Sequence, residues 1–255
     1  MGSMWVDPAE DPKIYPMQGQ PALPFDETVM VDVDRFPDDR WGADFRAMVW
    51  IIDFMRIPSW PNDVRKGIPE PSTFSHQDLI DELKTLVGFQ EKVRATALPE
   101  ILAQNTEFQM YFCSALSIYP RSYPSSYLML KVAARIGEVV MVFLKRRYHA
   151  PRPSQIYPRL TPPVPVAPHA SYPSGHALIG FLLARMAGAI SPSLADSAYR
   201  LAQRIARNRE VAGLHFQWDS KAGEIAGNNV FEAISKPGNL PLYAKYFADA
   251  KSEWE

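Results

Sequence analysis

The 255 residues carry 27 basic and 28 acidic side chains, a net charge of −1. That balance argues against a nucleic-acid partner, because proteins that hold a polyanion carry a basic excess. A single cysteine, Cys113, excludes an internal disulfide and a cysteine-rich zinc site, and its apolar neighbours mark it as a buried structural thiol. Hydrophobic residues make up 47% of the chain and charged ones 22%, the balance of a soluble globular protein with one sizeable core.

Residues 1–40 form a proline- and acid-rich segment without a clear period, and Asp32, Asp34, Asp38 and Asp39 read as solvated surface rather than metal ligands. The helical pattern begins near Trp41 and runs through Ala47, Ile51 and Met55 until Pro58 and Pro61 stop it. Ser75-His-Gln-Asp78 has the form of a capping box and opens a helix with Leu79, Ile80, Leu83 and Leu86 on one face. Further helices are expected over 99–117 and 125–147. Residues 151–173 hold eight prolines and read as a stiff loop. Helices resume at 174–190, 192–211 and 216–234, and a short one follows Pro241. No alternating strand pattern and no internal repeat stands out. The prediction is an all-α fold, a single-domain helical bundle over 41–255 with seven to nine helices. Residues up to about 120 pack beside and partly over the second half.

No window reaches ~18 uninterrupted apolar residues, so no transmembrane segment is expected. The best stretch, 136–144, is broken by Glu138 and ends in Lys145-Arg146-Arg147. No signal peptide is visible. Met1-Gly-Ser-Met4 has the look of an expression scar, so the expected compartment is the periplasm if a leader was removed and the cytoplasm otherwise.

Three short strings carry the chemistry. They are Lys145-Arg-Arg-Tyr-His-Ala-Pro-Arg152-Pro153, Pro173-Ser174-Gly175-His176, and Arg209-Glu-Val-Ala-Gly-Leu-His215-Phe-Gln-Trp-Asp219. A phosphoryl group needs fixed cations and N–H donors on its oxygens, a nucleophile in line and an acid for the leaving oxygen. Lys145 sits in the last turns of a helix, and Arg152, locked between two prolines, offers a planar fork for two oxygens. Arg146 and Arg147 only complement the helix dipole. Ser174 suits an N-cap, and the free N–H groups of the turn that follows favour an anion. Gly175 leaves room for an oxygen to approach.

On an unbroken helix Arg209 and His215 would lie about 120° apart, so a break near Gly213 is required for both to face one ligand. Asp219 stands one turn after His215, where its carboxylate can take the Nδ1 proton and present Nε2 as a nucleophile. His149 and His169 read as structural or peripheral, and His76 as exposed. Trp60, Tyr119, Tyr123 and Tyr157 are candidates for an apolar entrance, although such aromatics more often belong to the core.

Together the strings match K-x6-R-P, P-S-G-H and S-R-x5-H-x3-D, except that Asn208 stands where the signature has serine. The chain thereby resembles the type-2 phosphatidic acid phosphatase (PAP2) superfamily, which joins lipid phosphatases, bacterial class A non-specific acid phosphatases and vanadium-dependent haloperoxidases. Ala170-Ser-Tyr-Pro-Ser-Gly-His176 is most similar to the acid-phosphatase form. The resemblance implies His215 as a nucleophile that becomes a phosphohistidine, His176 as acid and base, and Asp219 as the group that orients His215. It implies Lys145, Arg152 and Arg209 as the phosphate clamp, with Ser174 and Gly175 as donors.

The expected activity is metal-independent hydrolysis of a small-molecule phosphate ester, with no cofactor and with vanadate as inhibitor. The alternative is a vanadium-dependent haloperoxidase with vanadate as cofactor in the same cage. A non-catalytic anion binder would not need the oriented histidine. A homo-oligomer stays open, and so does the identity of the leaving group.

Overall fold

The computed structural model describes residues 41–255, so the aspartates and the initial tetrapeptide noted above lie outside the described residues. Among the described residues there is no strand. The helices are α1 (Ala43–Met55), α2 (Trp60–Asp63), α3 (His76–Lys92), α4 (Arg94–Ala103), α5 (Phe108–Ala115), α6 (Pro124–Tyr148), α7 (Pro153–Ile156), α8 (Gly175–Ile190), α9 (Ala195–Val211), α10 (Gln217–Ser235) and α11 (Tyr243–Ser252). The all-α expectation is borne out. Nine of these helices have eight residues or more, and α2 and α7 are single turns.

The capping box forms as read: Ser75 Oγ accepts from Asp78 N at 3.1 Å, and Asp78 Oδ2 accepts from Ser75 N at 2.7 Å. The helix expected over 99–117 is two helices. It begins earlier, at Arg94, runs through Pro99, and breaks between Ala103 and Phe108. The break positions the site, because it leaves the last carbonyls of α4 free to bind side chains.

α8 is the central rod. Ala177, Leu178, Phe181, Leu182, Leu183 and Met186 are all buried, and Arg185 is its one exposed side chain. A helix apolar over most of its surface must be covered on most sides, and α6, α9 and α10 do so. The contact with α10 runs over Gly223 and Gly227, which share one face of that helix. A Cβ at Gly223 would come within 2.7 Å of Ser174 O and of Ala177 Cβ. The two backbones therefore touch, and the N-terminal turn of α8 is fixed against α10.

Residues 41–255 form one compact unit. Cys113 is buried on α5, and burial raises its thiol to about 11. No described helix is long and apolar enough to cross a membrane.

Candidate active site

All three strings converge on one cavity of about 420 Å³. Lys145 ends α6 with its ammonium buried, and Nζ donates to Ala170 O and Ser171 O, each at 2.7 Å. Desolvation, with the charge of Arg152 nearby, lowers its pKa to about 7. Arg152 is the N-cap of α7 and is also buried. Its Nη1 donates to Leu214 O at 3.0 Å and meets His215 Nε2 at 3.1 Å.

That last contact decides the state of His215. A guanidinium has donors only, so Nε2 must accept and therefore carries a lone pair. The proton sits on Nδ1, which is 3.0 Å from Asp219 Oδ2. The oriented base inferred from the four-residue spacing is thus formed. Burial and the cations Arg152 and Lys145 push the His215 pKa well below its usual value, which keeps the ring neutral. Asp219 Oδ2 also accepts from Ser171 Oγ and, at 3.2 Å, from Phe216 N at the start of α10. Burial raises the Asp219 carboxyl to about 6.

The chain breaks where Arg209 and His215 required it to. α9 ends at Val211, Gly213 takes φ +75°, and α10 starts at Gln217. Left-handed backbone of this kind favours glycine. Arg209 is 1% exposed, which matters because only one of its nitrogens is bonded. Nη2 donates to Ile101 O at 2.9 Å, while Nε and Nη1 have no partner among the described residues. Unpaired buried donors cost roughly 1–3 kcal/mol each, and Arg209 lines the cavity. Burial lowers the Arg209 pKa to about 10 and leaves it charged at neutral pH.

Ser174 is the N-cap of α8. Its Oγ accepts from Ala177 N at 3.4 Å, and its own N donates to Asp219 O at 2.9 Å. Gly175 lines the cavity, and a Cβ there would also stand 2.6 Å from Met141 Sδ. His176 follows at the cavity wall, stacked on Phe108 with centroids 4.4 Å apart. Its Nε2 lies 3.1 Å from Gln104 O. A carbonyl only accepts, so Nε2 carries the proton and Nδ1 is the ring nitrogen left to exchange one. Burial, with Arg209 nearby, drives the His176 pKa down to about 3.

Two residues were missed by the sequence reading. His169, read as peripheral, lies on the cavity wall and takes Arg152 Nη2 on Nδ1 at 3.0 Å. Ser171 joins Asp219 and lies 3.3 Å from His215 Nδ1. Both fall between the first two strings, which was the available signal. By contrast, none of Trp60, Tyr119, Tyr123 and Tyr157 lines the cavity. Trp60 packs in the core on Phe143, and Tyr123 stacks on Trp254. Arg147 pairs with Glu70 at 3.2 Å, as a surface residue would. Among the described residues no three His, Cys, Asp or Glu side chains cluster as a metal site.

A tetrahedral dianion in this cavity would favour the protonated forms of Lys145 and His176, both depressed in its absence. Binding at pH 7 should therefore take up protons, on the order of one per site. Calorimetry with sulfate in buffers of different ionisation enthalpy reads this directly. Equal apparent enthalpies in all buffers would contradict it.

Residues 126–232 match the family model of the PAP2 superfamily. The chain is similar to a non-specific acid phosphatase of Salmonella typhimurium, with 26% identity over 141 residues, 53% of this chain and 55% of the relative. It is also similar to a non-specific acid phosphatase of Providencia stuartii, with 29% identity over 86 residues, 34% of each chain. The match thus spans about half the length of the first relative and a third of the second.

Proposed function

We propose, for a chain whose residues 126–232 match the PAP2 superfamily, that it hydrolyses phosphate monoesters without a metal through a phosphohistidine at His215. The observation that carries this reading is the pairing of His215 with Arg152 and Asp219. It fixes a neutral imidazole with its Nε2 lone pair facing Arg152, in a cavity that Arg209 also lines with unpaired donors.

Binding exchanges the Arg152 contact on Nε2 for a phosphate oxygen. Nε2 then forms a bond to phosphorus as the ester P–O bond breaks, and the electron pair leaves on the alcohol oxygen. A proton from His176 Nδ1 neutralises that alkoxide. Water next attacks phosphorus, gives its proton to His176, and the P–N bond breaks to restore His215. Asp219 holds the imidazolium character of the intermediate, and Lys145, Arg152 and Arg209 bear the phosphoryl charge. The dianion itself favours a protonated His176, because its charge offsets part of the burial and of the nearby cations that lower the pKa of the ring.

The rest of the cavity wall bears on the leaving group. Its polar residues include Asn105, Thr106, Glu107, Gln109, Lys131, Arg135 and Glu138. Lys131 and Arg135 are neutralised by Asp44 at 3.2 and 3.1 Å, and Arg135 also by Glu138 at 2.9 Å. A polar wall without net positive charge suits hydroxyls better than a hydrocarbon tail or a second phosphate. A hydroxyl-bearing alcohol such as a sugar fits it.

Hydrolysis of an aryl phosphate and a sugar phosphate should survive EDTA and be strongly inhibited by vanadate, a phosphate mimic. Activity lost in EDTA and restored by magnesium or zinc would sink the metal-free mechanism. Fast halide oxidation by the vanadate-loaded protein with no phosphate hydrolysis would replace the hydrolase reading.

A further inference from the structure

We propose that the C-terminal turn of α4, outside the matched segment, is part of the reaction machinery, with Gln104 as the positioning residue for His176. This inference rests on the phosphatase reading of the same site. The last carbonyls of a helix have no partners within it. Here two of them are taken by groups of the site: Ile101 O by Arg209 Nη2 at 2.9 Å and Gln104 O by His176 Nε2 at 3.1 Å. One short turn therefore fixes a phosphate cation and the acid together.

Gln104 is completely buried, and its side chain holds the turn in place. Its Oε1 accepts from Asn208 Nδ2 at 2.9 Å, and its Nε2 donates to Glu100 Oε1 at 2.9 Å. Glu100 in turn accepts from Arg204 Nε at 2.7 and 2.6 Å and from Tyr111 OH at 2.8 Å. The network ties α4 to α9 and α5. Asn208 precedes Arg209 and occupies the position where the signature has serine. A serine hydroxyl ends one atom nearer its own backbone than an asparagine amide nitrogen, so the tie to Gln104 needs the longer side chain. The departure at 208 and the glutamine at 104 make one device.

The carbonyl does more than orient. It lies at the negative end of the α4 dipole, which favours a cation in contact with it. It is the partner that best opposes the cations around His176, and so it helps the ring hold the proton that it delivers.

The test is Gln104→Leu, which keeps the carbonyl but removes both side-chain bonds, with Asn208→Ser as the milder partner. Turnover of an alkyl phosphate, a poor leaving group, should fall ~10-fold, and that of an aryl phosphate with a good leaving group less than ~3-fold, because only the first needs the acid. The alkaline limb of the kcat profile should move to lower pH, since an acid with a lowered pKa is deprotonated sooner. The double variant should be no worse than Gln104→Leu alone, because both changes cut one network. Equal losses on both substrates with an unmoved limb would mean a structural role only and would overturn the proposal.

Histidine ¹⁵N NMR of the ligand-free protein separates this from failure of the phosphatase reading. His176 should show the Nε2–H tautomer, and Asn208→Ser should blur it into a mixture. That result without any ester hydrolysis would fail the enzyme reading and keep the positioning. Normal hydrolysis with the tautomer untouched in both variants would do the reverse.

Discussion

His215→Ala should abolish turnover, lowering kcat by ~10⁴-fold or more, because the substitution removes the proposed acceptor of the phosphoryl group. Binding should survive, since Lys145, Arg152 and Arg209 stay in place. Sulfate affinity should even rise slightly, because Arg152 Nη1 loses its contact with Nε2 and is free for the anion. Acid-quenched samples of the parent protein should carry phosphate on His215, and the variant should carry none. Phosphate found on His176 or His169 by mass spectrometry would overturn the assignment. A loss below ~10²-fold would point to direct attack by water, with His215 acting only as a base.

The second large effect is on stability. Gly227→Ala should destabilise the protein by about 3 kcal/mol, at the upper end for overpacking, because the added methyl meets backbone rather than a side chain that can turn away. Its Cβ would collide with Leu178 O and stand 3.0 Å from Leu182 N, both in α8. For a chain of this size that corresponds to a fall in Tm of roughly 6–12 °C. Gly88→Ala is the internal control. Nothing lies within 4 Å of its Cβ in the middle of α3, so alanine should stabilise there by roughly 0.5–1 kcal/mol. A normal melting curve for Gly227→Ala would show that α8 and α10 have more slack than their contact implies.

The site was legible in sequence wherever side chains carry the chemistry. Arg152, Gly175, His176, Arg209 and His215 line the cavity, Asp219 bonds to His215, and Lys145 and Ser174 join them one step further out, through Ser171 and Asp219. The break at Gly213 followed from helical geometry alone, because two residues six apart cannot share a face. The contribution of α4 was not legible. Ile101 and Gln104 meet Arg209 and His176 through their carbonyls, which every residue possesses, so those two contacts leave no mark on the side-chain pattern. The division between α4 and α5 was missed for a related reason: Ala103 to Glu107 contains neither glycine nor proline, and tertiary bonds end the helix rather than a local breaker. His169 was discounted because its partner, Arg152, lies 17 residues away across a loop without period. Trp60 and Tyr123 found partners in the core, as most aromatic side chains do.

The carboxylate of Asp219 and the backbone around it have a consequence for how the protein fails. One carboxylate orients His215 and accepts from Phe216 N at the start of α10, while Asp219 O takes Ser174 N, the cap of α8. The bonds that begin two core helices are thus the bonds that assemble the reacting groups. The site therefore shares the opening free energy of the core rather than that of a fraying edge. Warming such a protein should not first dull its centre and later unfold it. Function and fold should leave in a single cooperative step.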